Sequence, residues 1–218
     1  MTWTYLQPIY LRAIVDTLLM SVVTLVVGGV LGLALGVLLY ATRRGGVLAH
    51  RGVNLALNVV VNIVRPIPFV IFLAAVAPLT IKVVGTNIGV WAATFPLCIA
   101  ATFAMSRIVE QNLVTVDPGV VEAARSMGAG PWRILFDVVA REALGPLILG
   151  YTYVLIAIVD MTAVAGAVGA GGLGDFAITY GYQRYNWSVT AIAVVTIIVL
   201  VQAAQFLGNA LARKALRR

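Results

Sequence analysis

An uninterrupted apolar run from Leu18 to Ala41 constrains the fold of this chain more than any other feature of its sequence. The run exceeds the ~20 residues that a helix needs to cross a bilayer core of ~30 Å. Apolar residues make up 61% of the chain, against roughly 45–50% in soluble domains. A soluble fold of 218 residues could not bury that much apolar surface. The sequence therefore predicts an integral membrane protein with a single domain, residues 1–218.

Four further apolar runs follow the first, and none alternates with polar residues as a barrel strand would. The second run is interrupted by Arg65-Pro66-Ile67-Pro68. Two prolines remove two backbone donors and disfavour helix at the residues before them, so we expect a break within this span. The predicted fold class is all-α, with five transmembrane helices at Leu18–Ala41, Val53–Ile81, Ile88–Met105, Leu147–Val168 and Val189–Phe206.

Lys and Arg are concentrated on one side of these spans. The opposite side carries only Arg12, Lys82 and Arg184, and Arg65 lies within a span. The positive-inside rule then predicts that the N-terminus lies outside and the C-terminus in the cytoplasm. The net charge of +7 does not indicate nucleic acid as a partner, because the charges are divided among short loops without a binding module. The residues assigned to the cytoplasmic side are Arg43, Arg44, Arg51, Arg107, Arg125, Arg133, Arg141, Arg213, Lys214, Arg217 and Arg218.

The longest polar stretch runs from Arg107 to Glu142, between spans 3 and 4. Asp117 suits a helix N-cap and Pro118 the first helical position, and Gly128 suits the C′ position that ends a helix. The small side chains of this helix would let a partner's backbone approach, and its one acid would add a fixed charge. An ordinary amphipathic interfacial helix explains the residues equally well. The candidate docking residues are Glu122, Ala123, Ala124, Arg125 and Gly128.

Glu122-Ala123-Ala124, three residues and then Gly128 resemble the EAA motif of ABC importer permeases. In that family the loop inserts a coupling helix into a groove of a separate ATPase subunit. Further segments are similar to the methionine-importer permease subgroup. These segments are Asn62–Phe69, Gly166–Gly174, Tyr180-Gly181-Tyr182 and Tyr185-Asn186.

The resemblance implies a permease of the bacterial inner membrane with five spans and an outside N-terminus. Two copies of the chain would form the pore in the lipid bilayer. Two ATP-binding cassette subunits would dock in the cytoplasm, and an extracytoplasmic methionine-binding protein would deliver L- or D-methionine.

One position departs from the family pattern. The family continues nine residues past the glycine into an Ile-x-Leu-Pro ending, where this chain has Val138-Val139-Ala140-Arg141. The nearest proline is Pro146. The missing Leu-Pro predicts that the second short helix of the loop runs on into span 4.

The chain contains no Gly-x4-Gly-Lys-Ser/Thr motif, so ATP hydrolysis is expected on another subunit. Gly169-x-Gly171-x-x-Gly174 matches the dinucleotide fingerprint only literally, because a membrane span rather than a strand precedes it. We interpret it as a close-packed turn. No catalytic motif is present, and the chain is expected to be neither an enzyme nor the holder of a cofactor or metal.

Asn54, Asn58 and Asn62 recur every four residues and give span 2 a polar stripe. Polar residues at membrane depth face protein or a water-filled path. Asn58 and Asn62, with Arg65, Pro66 and Pro68 at the broken helix, are therefore the candidate translocation path or gate. Structural hydrogen bonds and a structural kink are the alternatives.

Asp160 is the only acid deep in a span. Exposing it to lipid would cost ~2.5–3.5 kcal/mol, so it is expected to face the interior with Arg65 as its candidate partner. A structural ion pair is the favoured interpretation over a proton relay or a ligand for a substrate amine. Gly28, Gly32 and Gly36 form a small-residue face on span 1, which indicates packing within the subunit more than a dimer seam.

The leading functional hypothesis is thus the permease of an ABC methionine importer. An ABC permease for another amino acid or small solute is the alternative. A self-powered secondary transporter is disfavoured, because that class usually shows paired broken helices. An intramembrane enzyme lacks any supporting motif.

Overall fold

The computed structural model describes residues 3–216, which fold into helices joined by short connections. We number the helices in chain order. The first five are α1 (Trp3–Thr42), α2 (Arg51–Val64), α3 (Phe69–Val84), α4 (Val90–Val114) and α5 (Pro118–Ser126). Helix α6 comprises Pro131–Arg133, a π-helical stretch Ile134–Val139 and Ala140–Glu142. The last three are α7 (Leu144–Ala165), α8 (Gly172–Asp175, continued by the π-helical Phe176–Gly181) and α9 (Trp187–Leu216).

Helices α1, α4, α7 and α9 are each long and apolar enough to cross a membrane. Helices α2 and α3 form a fifth span if the bent pair is counted as one, because together they pass the same test of length and composition. The predicted all-α membrane fold is confirmed. The predicted break in span 2 is also present, and the chain bends there by 109°.

Helix α1 is much longer than the apolar run that predicted it. It has 40 residues, which corresponds to ~60 Å, about twice the thickness of a bilayer core. The part of α1 that precedes the apolar run packs against α8 and α9. There the rings of Tyr10 and Phe176 lie 5.4 Å apart, and the hydroxyl groups of Tyr10 and Thr196 are hydrogen-bonded at 2.7 Å. The extension therefore belongs to a second hydrophobic core at one end of the bundle.

The second half of α1 lies directly against α4, and its glycine face makes this approach possible. A Cβ atom on Gly28 would lie 2.7 Å from the Ala101 Cβ, and one on Gly36 would lie 2.6 Å from the Val109 Cβ. Larger residues would force the two backbones apart. The glycine face is therefore used within the chain, as the favoured interpretation predicted.

Helix α4 continues beyond the predicted end of its span at Met105 and ends at Val114. Arg107 is thus helical, and the expectation that the polar loop begins there is wrong. Arg107 forms an ion pair with Glu110 one turn further on, with an N–O distance of 2.5 Å, and both side chains are mostly buried. Because Arg107 and Glu110 neutralise each other, both can be mostly buried in α4, and the helix continues beyond the apolar run.

The glycine-rich segment after α7 is a tight turn, as predicted. Gly169, Gly171 and Gly172 all have positive φ angles, of 98°, 81° and 79°. The Gly169 carbonyl accepts a hydrogen bond from the Gly89 amide at 3.0 Å. A helix rather than a strand precedes this turn, so the geometry of a dinucleotide site is not formed.

Candidate functional site

The loop between α4 and α7 begins with the predicted helix start. The Asp117 carboxylate accepts a hydrogen bond from the Gly119 amide at 2.8 Å. Pro118 occupies the first position of α5, where a missing amide costs nothing. The N-cap prediction is therefore confirmed.

Helix α5 ends at the predicted glycine. Gly128 has a φ of +79°. Its amide donates to the Arg125 carbonyl at 2.9 Å, and the Ala129 amide donates to the Ala124 carbonyl at 3.0 Å. These two bonds define a Schellman motif, which satisfies carbonyls that the helix end would otherwise leave without partners. The short helix thus has a defined end at each terminus.

The two faces of α5 have different surroundings. Ala124 is only 4% exposed and packs in a core with Val116, Ile134 and Leu135. Glu122, Ala123, Arg125 and Gly128 are exposed. The expectation that Ala124 lets a partner approach is therefore wrong, because its small size instead lets α5 lie close to α6 and the end of α4.

The loop also exposes large apolar side chains that the sequence reasoning missed. Met127 is 81% exposed, Trp132 60% and Phe136 57%. The rings of Trp132 and Phe136, one helical turn apart, stack at 6.1 Å with an interplanar angle of 12°. Aromatic residues and methionine are enriched at protein interfaces. The i, i+4 spacing of two aromatic residues in a polar loop was the available sequence signal.

A cavity of about 90 Å³ separates α5 from the connection between α1 and α2. Glu122 and Arg125 of α5 line it, together with Tyr40 and Arg43 from the end of α1 and the residue after it. The Arg43 guanidinium sits 4.3 Å from the centre of the Tyr40 ring. Glu122 forms no ion pair with any residue in the range 3–216. Its charge is therefore available at the surface of the loop.

The loop returns to the bundle through α6, which is almost continuous with α7. Only Ala143 separates them, and the Leu147 amide donates to its carbonyl at 2.8 Å. This agrees with the expectation from the missing Leu-Pro. Arg133, Asp137 and Arg141 follow one another at intervals of four residues, so Asp137 could pair with either arginine. The structure has Arg141–Asp137 at 3.5 Å and no ion pair between Arg133 and Asp137.

The asparagine side chains of the stripe on α2 form hydrogen bonds with other groups of the protein. The Asn54 side chain donates to the Leu39 carbonyl at 3.0 Å, and the Asn58 side chain donates to the Asn54 carbonyl at 2.9 Å. Arg107 donates to the Asn62 side-chain oxygen at 2.6 Å. Asn54 and Asn62 thus connect α2 to α1 and α4. Asn58 is half-buried and Asn62 is exposed.

Arg65 and Asp160 do not form the expected pair. Both side chains are exposed, and no ion pair between them occurs in the described part of the chain. Asp160 lies on the same face of α7 as exposed Leu149 and Tyr153, and this face points away from the chain's own core. Arg65 instead lines a cavity of about 70 Å³. The prediction of an interior Asp160 is wrong for the single chain.

The broken helix itself is exposed at Arg65, Pro66 and Pro68. The cavity beside it is walled by Phe69, Phe72, Phe103 and Met161 among others. The structure therefore brings the break in span 2 next to α7, one residue from Asp160. Whether substrate passes here stays a prediction.

Comparison with known proteins places these features in a family. Residues 32–217 match the family described as "Binding-protein-dependent transport system inner membrane component". The "Probable D-methionine transport system permease protein MetI" of Vibrio cholerae is 45% identical over 94% of this chain and 91% of its own length. The "Methionine import system permease protein MetP" of Bacillus subtilis is 42% identical over 79% of this chain and 78% of its own.

A solved structure described as "Inward facing conformations of the MetNI methionine ABC transporter" superposes with a TM-score of 0.95 and 40% identity. The alignment covers 99% of both chains. The similarity along the chain agrees with the structure, which is an all-helical bundle with an exposed, capped helix in its longest polar loop. The chain belongs to the family of binding-protein-dependent transport system inner membrane components.

Proposed function

We propose that this chain is the membrane-spanning permease of an ATP-driven importer and that its substrate is methionine, in both L and D forms. The whole chain, residues 1–218, acts as one transmembrane domain. The names of relatives that are 42–45% identical support the substrate. The transport family supports the role of the chain as a permease subunit.

The observation that carries the proposal is the exposed loop formed by α5 and α6. A short helix with a capped start and a Schellman end presents Glu122, Ala123 and Arg125 to the outside. We assign these residues, with Gly128 as the helix stop, to contact with an ATPase subunit. Met127, Trp132 and Phe136 would supply the apolar part of the same contact.

ATP hydrolysis is assigned to that separate subunit, because this sequence has no phosphate-binding loop. Two copies of the chain, two ATPase subunits and an extracytoplasmic methionine-binding protein complete the assembly. The basic residues near the ends of α1 and α9 lie on the side assigned to the cytoplasm, as does the α5–α6 loop. The N-terminus is accordingly outside and the C-terminus inside.

The translocation path is assigned to the surface that each chain leaves open. Asp160 is exposed on α7, and exposure to lipid would cost ~2.5–3.5 kcal/mol. It is therefore more stable facing a second copy or a water-filled path. Arg65, Pro66 and Pro68 are exposed beside α7, and Asn62 lies one turn before them. Asn58 is half-buried and lies one turn before Asn62 on α2.

Coupling then follows from linkage between two states of the assembly. ATP binding favours the state in which the ATPases close, and the docked loops move with them. Because α5 and α6 connect α4 to α7, a displacement of the loop acts on both helices. Rigid-body motion of the two halves would switch the side from which the path is open.

The first experiment tests docking. We expect Glu122→Lys to lower methionine transport by at least tenfold in proteoliposomes that contain the cognate ATPase and binding protein, without changing the amount of permease in the membrane. The matched control is Glu142→Lys, which makes the same charge reversal on an exposed position of α6. Wild-type transport by the Glu122→Lys protein would refute the docking assignment.

The second experiment tests the substrate. We expect a methionine auxotroph to grow on D-methionine only when this gene and those for its ATPase and binding protein are present. Uptake of labelled methionine should be reduced by excess unlabelled methionine and not by other amino acids. If another amino acid inhibits the uptake at a lower concentration than methionine does, that amino acid is the substrate. The assignment of the chain as an importer permease would not be affected.

A further inference from the structure

An apolar groove of about 490 Å³ opens between α1, α7 and α9, away from the loop and the broken helix. On α9 its wall is formed by Ala204, Leu207, Gly208 and Leu211, which share one face of the helix. The groove is distinct from the surface assigned to the translocation path, because that surface lies on the opposite, Tyr153 and Asp160, side of α7.

The hydroxyl groups in the groove are already bonded to protein. The Tyr151 hydroxyl donates to the Gly29 carbonyl at 2.9 Å, and the Thr152 hydroxyl donates to the Ile148 carbonyl at 2.9 Å. No donor remains among the described residues of the groove that would hold a polar occupant. The groove is therefore suited to a hydrocarbon chain.

The length of the groove matches one membrane leaflet. Its residues on α7 run from Leu144 to Leu155, a distance of ~16 Å at the rise of an α-helix. Half of a hydrocarbon core of ~30 Å is ~15 Å. A single acyl chain from the leaflet at the Leu144 end would fill the groove without crossing the bilayer midplane.

The same end of the groove leads to two cations. Lys214 lies three residues after Leu211 and extends its helix face by one turn, and Arg141 lies three residues before Leu144. The two helix ends are in contact, because Leu216 packs where a Gly145 side chain would be. Both cations are exposed, and Lys214 has no ion pair within residues 3–216.

Acidic residues at this end do not cancel these charges. Asp137 pairs with Arg141 at 3.5 Å, but both side chains are more than half exposed, so solvent and salt screen the pair. Glu142 adds one more acid and Arg133 one more cation, so the exposed Lys214 leaves an excess of positive charge. The mouth of the groove is therefore net positive.

We propose that this groove is a binding site for one anionic phospholipid. One acyl chain lies in the groove between α7 and α9, and the headgroup phosphate lies between Lys214 and Arg141. Basic residues at the membrane surface between helices are the recognised means of selecting anionic headgroups. The site does not depend on the proposed function, because it concerns only a lipid bound to the membrane-facing surface of the helices.

The test counts lipids on the full-length chain by native mass spectrometry after incubation with phosphatidylglycerol or phosphatidylcholine. We expect one retained phosphatidylglycerol per chain, at least fivefold more than phosphatidylcholine. The Lys214→Gln and Arg141→Gln double variant should lose this preference. Arg213→Gln, a matched control one position off the groove face, should keep it.

A second variant tests the acyl chain. Ala204→Trp places a large side chain in the groove and should abolish retention of both lipids without changing the helical content. Equal retention of the two lipids by the wild type, or loss of preference in Arg213→Gln, would overturn the headgroup site. Undiminished retention by Ala204→Trp would overturn the groove as its location. A groove covered by a second copy of the chain, with no lipid bound, would also overturn it.

Discussion

Two of the helix breaks in this chain are made by opposite means, one at Gly128 in the loop and one at Arg65–Pro68 in the second span. At Gly128 a positive φ of 79° allows two capping hydrogen bonds of 2.9 and 3.0 Å. At the second break Pro66 and Pro68 have no amide to donate, while the Arg65 amide donates to the Val61 carbonyl at 3.1 Å and the Ile67 amide to the Val64 carbonyl at 3.2 Å.

The two breaks differ in what determines the residue type at each position. The glycine break has no heavy atom within 4 Å of where a Cβ would be, so only the backbone conformation selects glycine there. At the proline break the missing amides and the proline rings prevent a continuous helix, independently of the neighbouring side chains. One break fixes where a short helix ends, and the other prevents two helices from becoming one.

The largest expected effect is at the glycine break. Gly128→Val forces a β-branched residue into a left-handed conformation, at a cost of roughly 1–2 kcal/mol or more. We expect transport to fall at least tenfold, because the end of α5 would move, while the protein remains in the membrane. The measurement is methionine uptake per permease in proteoliposomes.

Gly130→Val is the matched control. Gly130 has a φ of −69°, an ordinary value for any residue, and no heavy atom lies within 4 Å of the position that its Cβ would take. Uptake by this variant should equal that of the wild type. If both variants behave alike, the conformation of Gly128 is not what the loop requires.

The second effect concerns the proline break. In the double variant Pro66→Ala and Pro68→Ala, two backbone donors return and helix becomes allowed at the preceding residues. We expect α2 and α3 to straighten partly and transport to fall several-fold. Pulsed electron paramagnetic resonance between spin labels on α2 and α3, in a Cys98→Ala background, should report a longer distance. An unchanged distance would mean that packing, not proline, holds the bend of 109°.

The smallest effect is at the start of α5. Asp117→Ala removes the side-chain acceptor for the Gly119 amide and should cost about 1 kcal/mol of local helix stability. Hydrogen exchange of the α5 amides should then accelerate about fivefold, since ~1.4 kcal/mol is a factor of ten. Asp117→Ser should restore protection. Unaltered exchange in the alanine variant would show that packing of Ala124 alone maintains the helix.

The two breaks also show what could be predicted from the sequence. Asp117, Pro118, Gly128 and the proline pair act through local backbone chemistry, so their effects were predictable without knowledge of the fold. The angle of the bend was not, because it depends on how α3 packs against α4. The burial of Ala124 was missed for the same reason, since alanine suits a buried and an exposed position equally.

The positions of the charged side chains relative to the helices were the least predictable feature. Arg107 was assigned to a loop because charged residues usually end an apolar run, but Glu110 three residues later neutralises it inside a helix. Asp160 was expected to find Arg65 within the chain. The bundle instead leaves both exposed, because α7 turns its Asp160 face away from the other helices.

The single residue between α6 and α7 has a mechanical consequence. Where a proline separates two helices, the joint between them can swivel, and much of a rotation applied to one is dissipated before it reaches the other. Here Ala143 leaves the backbone nearly continuous. We expect a rotation of α6 at Trp132 to rotate α7 by nearly the same amount. A movement of the loop would then reorient the exposed Tyr153 and Asp160 face of α7 directly.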